Sequence, residues 1–301
     1  MPDARASPRG AATSNLNLPV RPREFVNRTG LQLRGDEWGP QSAPTVVLMH
    51  GGGQTRRSWS GAAREFAAAG YRVLNLDARG HGESEWPSDG RYTLDALCDD
   101  IDAVIAPEPG PVVLVGASMG GVAALHFVAT GRRSSVSAIV MVDIVPRVEQ
   151  EGSDRIQAFM RAYQGGFASV DEAADAVAEY YPHRPRPSDS SGLEANLRRR
   201  ADGRFYWHWD PRLIDGPHAL EPPDFGDPLL QAARVVRIPV LVVRGLRSDI
   251  VSDAGIEEFR GSVPHLEVCE IPQAGHMVAG DRNDVFNAGT LDFLRRHVPA
   301  N

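Results

Sequence analysis

Residues 112–121 read Val-Val-Leu-Val-Gly-Ala-Ser-Met-Gly-Gly, and this stretch carries the most information in the chain. Its four leading apolar residues predict a buried β-strand, and the next five follow the pattern Gly-x-Ser-x-Gly. The pattern is typical of a sharp turn from a strand into a helix, with a strained serine, here Ser118, at the tip. Gly116 and Gly120 flank the serine because a side chain at either position would collide across the turn. The N-terminus of the following helix would face an oxyanion formed at Ser118.

A second Gly-rich segment follows an earlier apolar run. Residues 44–53 read Pro-Thr-Val-Val-Leu-Met-His-Gly-Gly-Gly, which predicts a buried strand that ends in three glycines. Glycines let the backbone approach a carbonyl oxygen closely and aim an N–H group at it. We predict that the N–H groups of Gly52 and Met119 form an oxyanion hole, with Gly52 rather than Gly53 as the donor from this loop. His50 precedes the serine in the chain and is predicted to form structural hydrogen bonds.

With these two segments in place, the chain resembles the α/β-hydrolase fold family over about residues 24–300. Residues 77–84, Asp-Ala-Arg-Gly-His-Gly-Glu-Ser, are similar to a structural loop of that family. The resemblance implies a catalytic triad in the chain order Ser, acid, His. Ser118 would be the nucleophile, Asp249 the acid and His276, in an Ala-Gly-His loop, the base.

In this scheme His276 accepts the proton of Ser118 and later gives it to the leaving group, while Asp249 holds the imidazole in the required tautomer. No metal and no organic cofactor is expected. Asp143 is the alternative acid, because it ends a predicted strand and some members of the fold carry their acid there. The loop pattern after the apolar run 238–245 favours Asp249.

Strands and helices alternate along the chain, which predicts an α/β fold with a mostly parallel central sheet and helices on both faces. Residues 146–235 interrupt this alternation with helical segments and proline-rich turns, and we expect them to form an inserted helical cap. The predicted organisation is a disordered leader at 1–22, a hydrolase core at 23–145 and 236–301, and a cap at 146–235.

Caps exclude water from an active site and shape its pocket. The predicted cap contains the aromatic run Phe-Tyr-Trp-His-Trp at 205–209. Trp207 and Trp209 are candidates for lining an apolar substrate pocket, and an equally weighted alternative is that they fasten the cap to the core. Gly53 and Met277 are the other candidate substrate contacts.

The composition of the 301-residue chain is that of a globular protein, with 42% hydrophobic and 24% charged residues. A net charge of −7 without a dense basic patch argues against nucleic-acid binding. No apolar stretch approaches the ~20 residues of a membrane span, and residues 1–22 lack the apolar region of a secretory signal. Two cysteines, Cys98 and Cys269, give no disulfide framework and indicate a reducing, cytoplasmic location. A homo-oligomer is left open.

Together these features predict a serine hydrolase that cleaves a small or medium carboxylic ester or lactone through an acyl-enzyme, and lactonases of the enol-lactone type fit best by analogy. Carbon–carbon hydrolases of the family share the Gly-rich loop and Ser-Met-Gly-Gly, but they usually carry Trp where this chain has Met277. Perhydrolases generally lack a cap of this size. Both stay as alternatives, as does a ligand-binding protein with little turnover, although the intact set of Ser118, Asp249 and His276 argues against the latter.

Overall fold

The computed structural model describes residues 18–132, 135–181, 186, 188–194, 196–220, 226–276, 278 and 283–300. Ten strands are described in these residues: β1 (Arg21–Val26), β2 (Gln32–Trp38), β3 (Thr45–Met49), β4 (Arg72–Leu76), β5 (Val112–Ala117), β6 (Val136–Val142), β7 (Leu197–Arg199), β8 (Phe205–Trp207), β9 (Val240–Gly245) and β10 (Glu267–Ile271).

The described helices lie between these strands and after the last of them. They are α1 (Ser60–Ala68), α2 (Leu94–Ile105), α3 (Met119–Ala129), α4 (Gln150–Ala162), α5 (Val170–Tyr180), α6 (Ser191–Glu194), α7 (Arg212–Asp215), α8 (Gly226–Ala233), α9 (Asp253–Ser262) and α10 (Asn283–His297). None of the helices in the described part of the chain is long and apolar enough to cross a lipid bilayer.

The main sheet has eight strands in the order β1-β2-β4-β3-β5-β6-β9-β10. Strands β1, β2 and β4 pair antiparallel, and the strands from β4 to β10 in this order pair parallel. Side chains of β3, β4 and β5 are buried almost throughout, as expected for parallel strands that are covered on both faces. The predicted fold class, an α/β fold with a mostly parallel sheet, is confirmed.

Two apolar clusters cover the two faces of the sheet. One contains residues of α2, α3, α8 and α9, such as Ile101 and Phe259. The other contains residues of α1 and α10, such as Phe66 and Phe286. The alternation of strand and helix in the sequence therefore places helices on both faces, as predicted.

Residues 146–235, called the insertion below, lie between β6 and β9 and contain helices α4 to α8. They also contain a two-stranded antiparallel sheet of β7 and β8, which the sequence analysis did not predict. Strands of three residues are too short to show a periodic pattern. Strand β1 begins at Arg21, inside the predicted leader at 1–22, while residues 1–17 of that leader lie outside the described residues.

The turn between β5 and α3 is closely packed. Ser118 has a φ of 45° and a ψ of −112°, a conformation that residues with a side chain rarely adopt. A Cβ atom added at Gly116 would lie 2.2 Å from the carbonyl carbon of Gly120. Strand and helix therefore approach each other so closely that only glycine fits at position 116, as the sequence predicts.

We expect Gly116→Ala to destabilise the protein by about 3 kcal/mol or more, because the added methyl group meets backbone that cannot move away cheaply. For a domain of this size such a loss corresponds to roughly 6 °C or more in the midpoint of thermal unfolding. Gly61→Ala is the matched control, since open space surrounds Gly61 in α1 and alanine is the better helix former. Equal midpoints for the two variants would contradict the packing of the turn.

Candidate active site

Three loops meet at the carboxyl edge of the sheet. Ser118 follows β5, Asp143 follows β6, and His276 lies in the loop after β10. In parallel sheets this edge is where ligands bind. Ser118 and His276 line the same cavity, which has a volume of about 390 Å³.

Backbone conformation also marks this edge. Within the described residues, the non-glycine residues with a positive φ are Ser118, Asp143 and Gln273. Each stands at or just before one of these three loops. Residues in such conformations cost free energy and cluster at functional sites, where the surrounding structure holds them in place.

The carboxylate of Asp143 is fully buried and accepts three hydrogen bonds, one from the end of β9 and one each from the loops after β9 and β10. Its Oδ2 atom lies 2.8 Å from Nδ1 of His276 and also accepts from the hydroxyl of Ser248. Its Oδ1 atom accepts from the backbone N–H of Gly245 at 2.9 Å. Because an ionised carboxylate only accepts, Nδ1 of His276 carries the proton in this pair. Nε2 is thereby left as the nitrogen able to accept a proton.

The predicted pairing of Asp249 with His276 is wrong. Asp249 instead forms an ion pair with Arg155 of α4, with 2.5 Å between Oδ2 and the guanidinium nitrogen. The backbone of α4 packs directly on this residue, since a Cβ at Gly152 would lie 2.2 Å from the carbonyl oxygen of Asp249. In the loop after β9, the hydroxyl of Ser248 donates to Asp143, whereas the side chain of Asp249 binds Arg155 of the insertion. The alternative acid, Asp143, is therefore the carboxylate beside the imidazole.

The Gly-rich loop after β3 is fixed on both sides of Gly52. The N–H of Gly51 donates to Oε1 of Gln54 at 3.0 Å, and the N–H of Gly53 donates to Nε2 of His81 at 3.0 Å. Among the groups in the described ranges, none accepts the N–H of Gly52 or that of Met119. The arrangement leaves these two N–H groups as the candidate donors to an oxyanion, and it removes Gly53 from that role.

Three buried histidines connect this loop with its neighbours. The ring centroids of His50 and His81 lie 5.0 Å apart, and those of His81 and His208 lie 5.9 Å apart. Each ring accepts a backbone N–H group, from Ala78, Gly53 and Gly82 in turn. We call these three side chains the histidine cluster. His50 thus forms the structural hydrogen bonds predicted for it.

The rings of the histidine cluster are held in the neutral form. Burial, with the neighbouring His50, lowers the pKa of His81 to about 3. Burial, with the neighbouring His81 and His50, lowers the pKa of His208 to about 2. Burial also lowers the pKa of His50. A neutral ring is what each hydrogen bond requires, since a protonated nitrogen could not accept the backbone N–H.

The segment from Trp207 to Asp210 joins the insertion to the core. The buried carboxylate of Asp210 accepts a hydrogen bond from the hydroxyl of Tyr92 at 2.8 Å. The backbone N–H of Asp210 donates to the carbonyl of Gly80 at 2.8 Å. Trp207 and Trp209 both line the cavity, and Trp209 is buried in the cluster that covers the sheet. Both tryptophans thus line the cavity, and Trp209 also fastens the insertion to the core; their contact with a substrate stays a prediction. Gly53 also lines the cavity, whereas Met277 lies outside the described residues.

Sequence reasoning missed the residues that hold Asp143 in place and the histidine that joins the insertion to the core. Ser248 and Gly245 both contact Asp143, and His208 connects the insertion to the loop after β4. The available signal for Ser248 is its place in the loop after β9, at the carboxyl edge of the sheet and next to the predicted acid Asp249. No sequence signal distinguishes His208 from other histidines of the insertion.

Comparisons with known proteins agree with this fold. A family model described as the alpha/beta hydrolase fold matches residues 44–282, and the chain belongs to this family. An esterase of Mycobacterium tuberculosis is 29% identical over 284 residues, which cover 90% of this chain and 89% of the esterase. The mouse sn-1-specific diacylglycerol lipase ABHD11 is 28% identical over 281 residues, 85% of this chain and 82% of the lipase.

Solved structures give the same result. The crystal structure of E-2-(acetamidomethylene)succinate hydrolase superimposes with a TM-score of 0.79 over 92% of this chain and 99% of that one, at 24% identity, which shows the shared fold. A structure of the Mycobacterium tuberculosis esterase superimposes with a TM-score of 0.73 at 26% identity, over 91% of this chain and 92% of that one. These findings support a hydrolase on this fold.

We expect the His276–Asp143 hydrogen bond to give a far-downfield ring N–H resonance in the proton NMR spectrum. Asp143→Asn should abolish this resonance, because an amide does not hold the imidazole in the same tautomer. Asp249→Asn should leave it in place, since Asp249 binds Arg155 instead. The opposite result would restore Asp249 as the partner of the histidine.

The histidine cluster should make the protein less stable in acid. The pKa of an unfolded histidine is near 6.5. Burial lowers the pKa of His81 to about 3 and that of His208 to about 2 in the folded protein. The unfolded chain therefore binds more protons between these limits, and stability falls as the pH drops from 6.5 toward 3.

His208→Asn should make this loss shallower, because asparagine does not titrate and its Oδ1 atom can still accept the N–H of Gly82. The check is the urea midpoint of unfolding measured from pH 7.5 to pH 4 in both proteins. Parallel curves for the two proteins would show that His208 is not held neutral.

Proposed function

We propose that the protein is a serine hydrolase that cleaves a small or medium carboxylic ester or lactone through an acyl-enzyme intermediate. Ser118 is the nucleophile, His276 the general base and acid, and Asp143 the residue that orients the histidine. The observation that carries the proposal is the hydrogen bond between His276 and the buried Asp143, at the edge of the cavity that holds the strained Ser118.

The first half of the reaction transfers the acyl group to the protein. A serine hydroxyl is a weak nucleophile at neutral pH and needs an adjacent base. Nε2 of His276 takes the proton of Ser118 as the oxygen attacks the carbonyl carbon. The charge that develops on the carbonyl oxygen is stabilised by the N–H groups of Gly52 and Met119, which no described protein group occupies. Collapse of this tetrahedral species expels the alcohol, which receives the proton from His276.

The second half returns the protein to its starting state. A water molecule gives a proton to His276 and attacks the acyl carbon, and the acid then leaves as Ser118 regains its hydrogen. Asp143 keeps the imidazole in the correct tautomer and stabilises the imidazolium formed in both halves. In a lactone the alcohol and acid belong to one molecule, so the product is a single hydroxy acid.

The relatives support an ester as the substrate. Two of the proteins that this chain resembles over most of its length are named as an esterase and a diacylglycerol lipase, and a methylesterase is similar over half of the chain. The insertion acts as a cap in this proposal, because its helices α4 and α5 and its residues Trp207 and Trp209 line the cavity above Ser118. A cap of this kind keeps bulk water from the site until the substrate has bound.

The proposal is tested with a fluorophosphonate probe and chromogenic esters. We expect the probe to modify Ser118, identified by peptide mass spectrometry. Ser118→Ala and His276→Ala should each lower kcat by ~10³-fold or more, and Asp143→Asn by ~10³- to 10⁴-fold, the range seen when triad members are removed.

Asp249→Asn is the matched control, because it makes the same chemical change in a neighbouring loop. It should keep kcat within a few-fold of the unmodified protein. Thermal unfolding of every variant separates loss of chemistry from loss of fold. Unchanged turnover in Ser118→Ala, or no labelling of a folded protein, would refute the proposal.

A further inference from the structure

We infer that the cavity selects uncharged substrates with an apolar acyl group and rejects esters that carry a free carboxylate. This inference rests on the proposed function and concerns the substrate class of the same site. It is carried by the chemistry of the cavity wall, by an aromatic cluster on one side of it, and by the pairing of the cation that contacts this cluster.

The described part of the cavity wall contains no charged side chain. Most of its residues are apolar and come from both the core and the insertion. The polar side chains of the wall, apart from Ser118, His276 and the tyrosines, are neutral amides and hydroxyls: Gln54, Ser58, Ser153, Gln157 and Asn196. Such groups can orient a neutral ester by hydrogen bonds, but they do not neutralise an anion.

Aromatic rings from the insertion form one side of the cavity. Phe159 stacks on Tyr180 with 4.4 Å between the ring centroids, and Trp207 lies 6.0 Å from Phe159. All three rings line the cavity. Phe167 supports Trp207 from a fully buried position, in a T-shaped contact of 5.1 Å. Packed rings of this kind favour an alkyl or aryl group over a hydrated one.

The cation that contacts this aromatic side is already paired. The guanidinium carbon of Arg155 lies 5.7 Å from the ring centroid of Tyr180. Its nitrogen lies 2.5 Å from the carboxylate of Asp249. Asp249 therefore neutralises the charge that an anionic substrate would otherwise recruit. Arg155 itself does not line the cavity.

An anionic ester would have to give up the hydration of its carboxylate in this cavity without gaining a cation from the described part of the wall. The free energy of that desolvation is unfavourable and is not repaid by apolar contacts. A neutral alkyl chain of similar length gains from burial instead. The preference for the neutral ester follows from the difference between the desolvation cost of the carboxylate and the gain from burying the alkyl chain.

The test compares two esters with the same leaving group, p-nitrophenyl heptanoate and mono-p-nitrophenyl adipate, at pH 7.5 on the full chain. The acyl chains are similar in length, and the adipate ester ends in a carboxylate. We expect kcat/KM for the heptanoate to exceed that for the adipate by 100-fold or more. A ratio near one, or a preference for the adipate, would overturn the inference while leaving the proposed function intact.

A substituted cation provides the second measurement. Gln157→Lys places an ammonium group in the cavity wall and should reduce the heptanoate-to-adipate ratio by tenfold or more. Gln231→Lys, at an exposed position of α8, makes the same change in net charge away from the cavity and should leave the ratio unchanged. Equal effects of the two variants would assign any preference to long-range charge rather than to the cavity wall.

The proposed function and the inference about charge are refuted by different results. If neither ester is hydrolysed and the fluorophosphonate does not label Ser118, the proposed function is wrong. If Ser118 is labelled and both esters are cleaved equally well, only the inference about charge is wrong. Should Gln157→Lys not fold, the ratio measured on the unmodified protein still decides the question.

Discussion

The site depends on one buried charge, the carboxylate of Asp143. It has no exposure to solvent and accepts hydrogen bonds from the Gly245 N–H, the Ser248 hydroxyl and the His276 ring. A buried carboxylate is costly unless such donors surround it. The same contacts therefore stabilise the carboxylate of Asp143 and position the histidine, and they join the loops after β6, β9 and β10.

The sheet supplies the frame in which these contacts form. The N–H of Ser118 donates to the carbonyl of Val142, and the N–H of Asp143 donates to the carbonyl of Val243, each across to the next strand. Hydrogen bonds therefore continue past the ends of the strands and hold both residues in conformations with a positive φ. The free-energy cost of these strained conformations is offset by the burial of apolar side chains on the two faces of the sheet.

Cavity and core are joined through hydrogen bonds of buried neutral groups. The histidine cluster fixes the loop that carries Gly52, and one of its three residues, His208, belongs to the insertion. The same segment of the insertion contributes Trp207 and Trp209 to the cavity wall. In this way the loop that carries the Gly52 N–H group and the shape of the apolar cavity are both held by one interface between insertion and core.

The sequence by itself determined the fold class, the turn at Ser118 and the loop that carries His276, because local pattern and glycine sterics specify them within a few residues. It did not determine which acid binds the histidine. Asp143 and Asp249 both follow core strands at the same edge, and the distance from each carboxylate to the imidazole depends on how two loops and α4 pack together. Only the tertiary structure decided that Ser248 supports Asp143 while Asp249 binds Arg155. Contacts between residues so far apart in the chain leave no periodic trace in a single sequence, so side-chain partners of this kind are determined by packing alone.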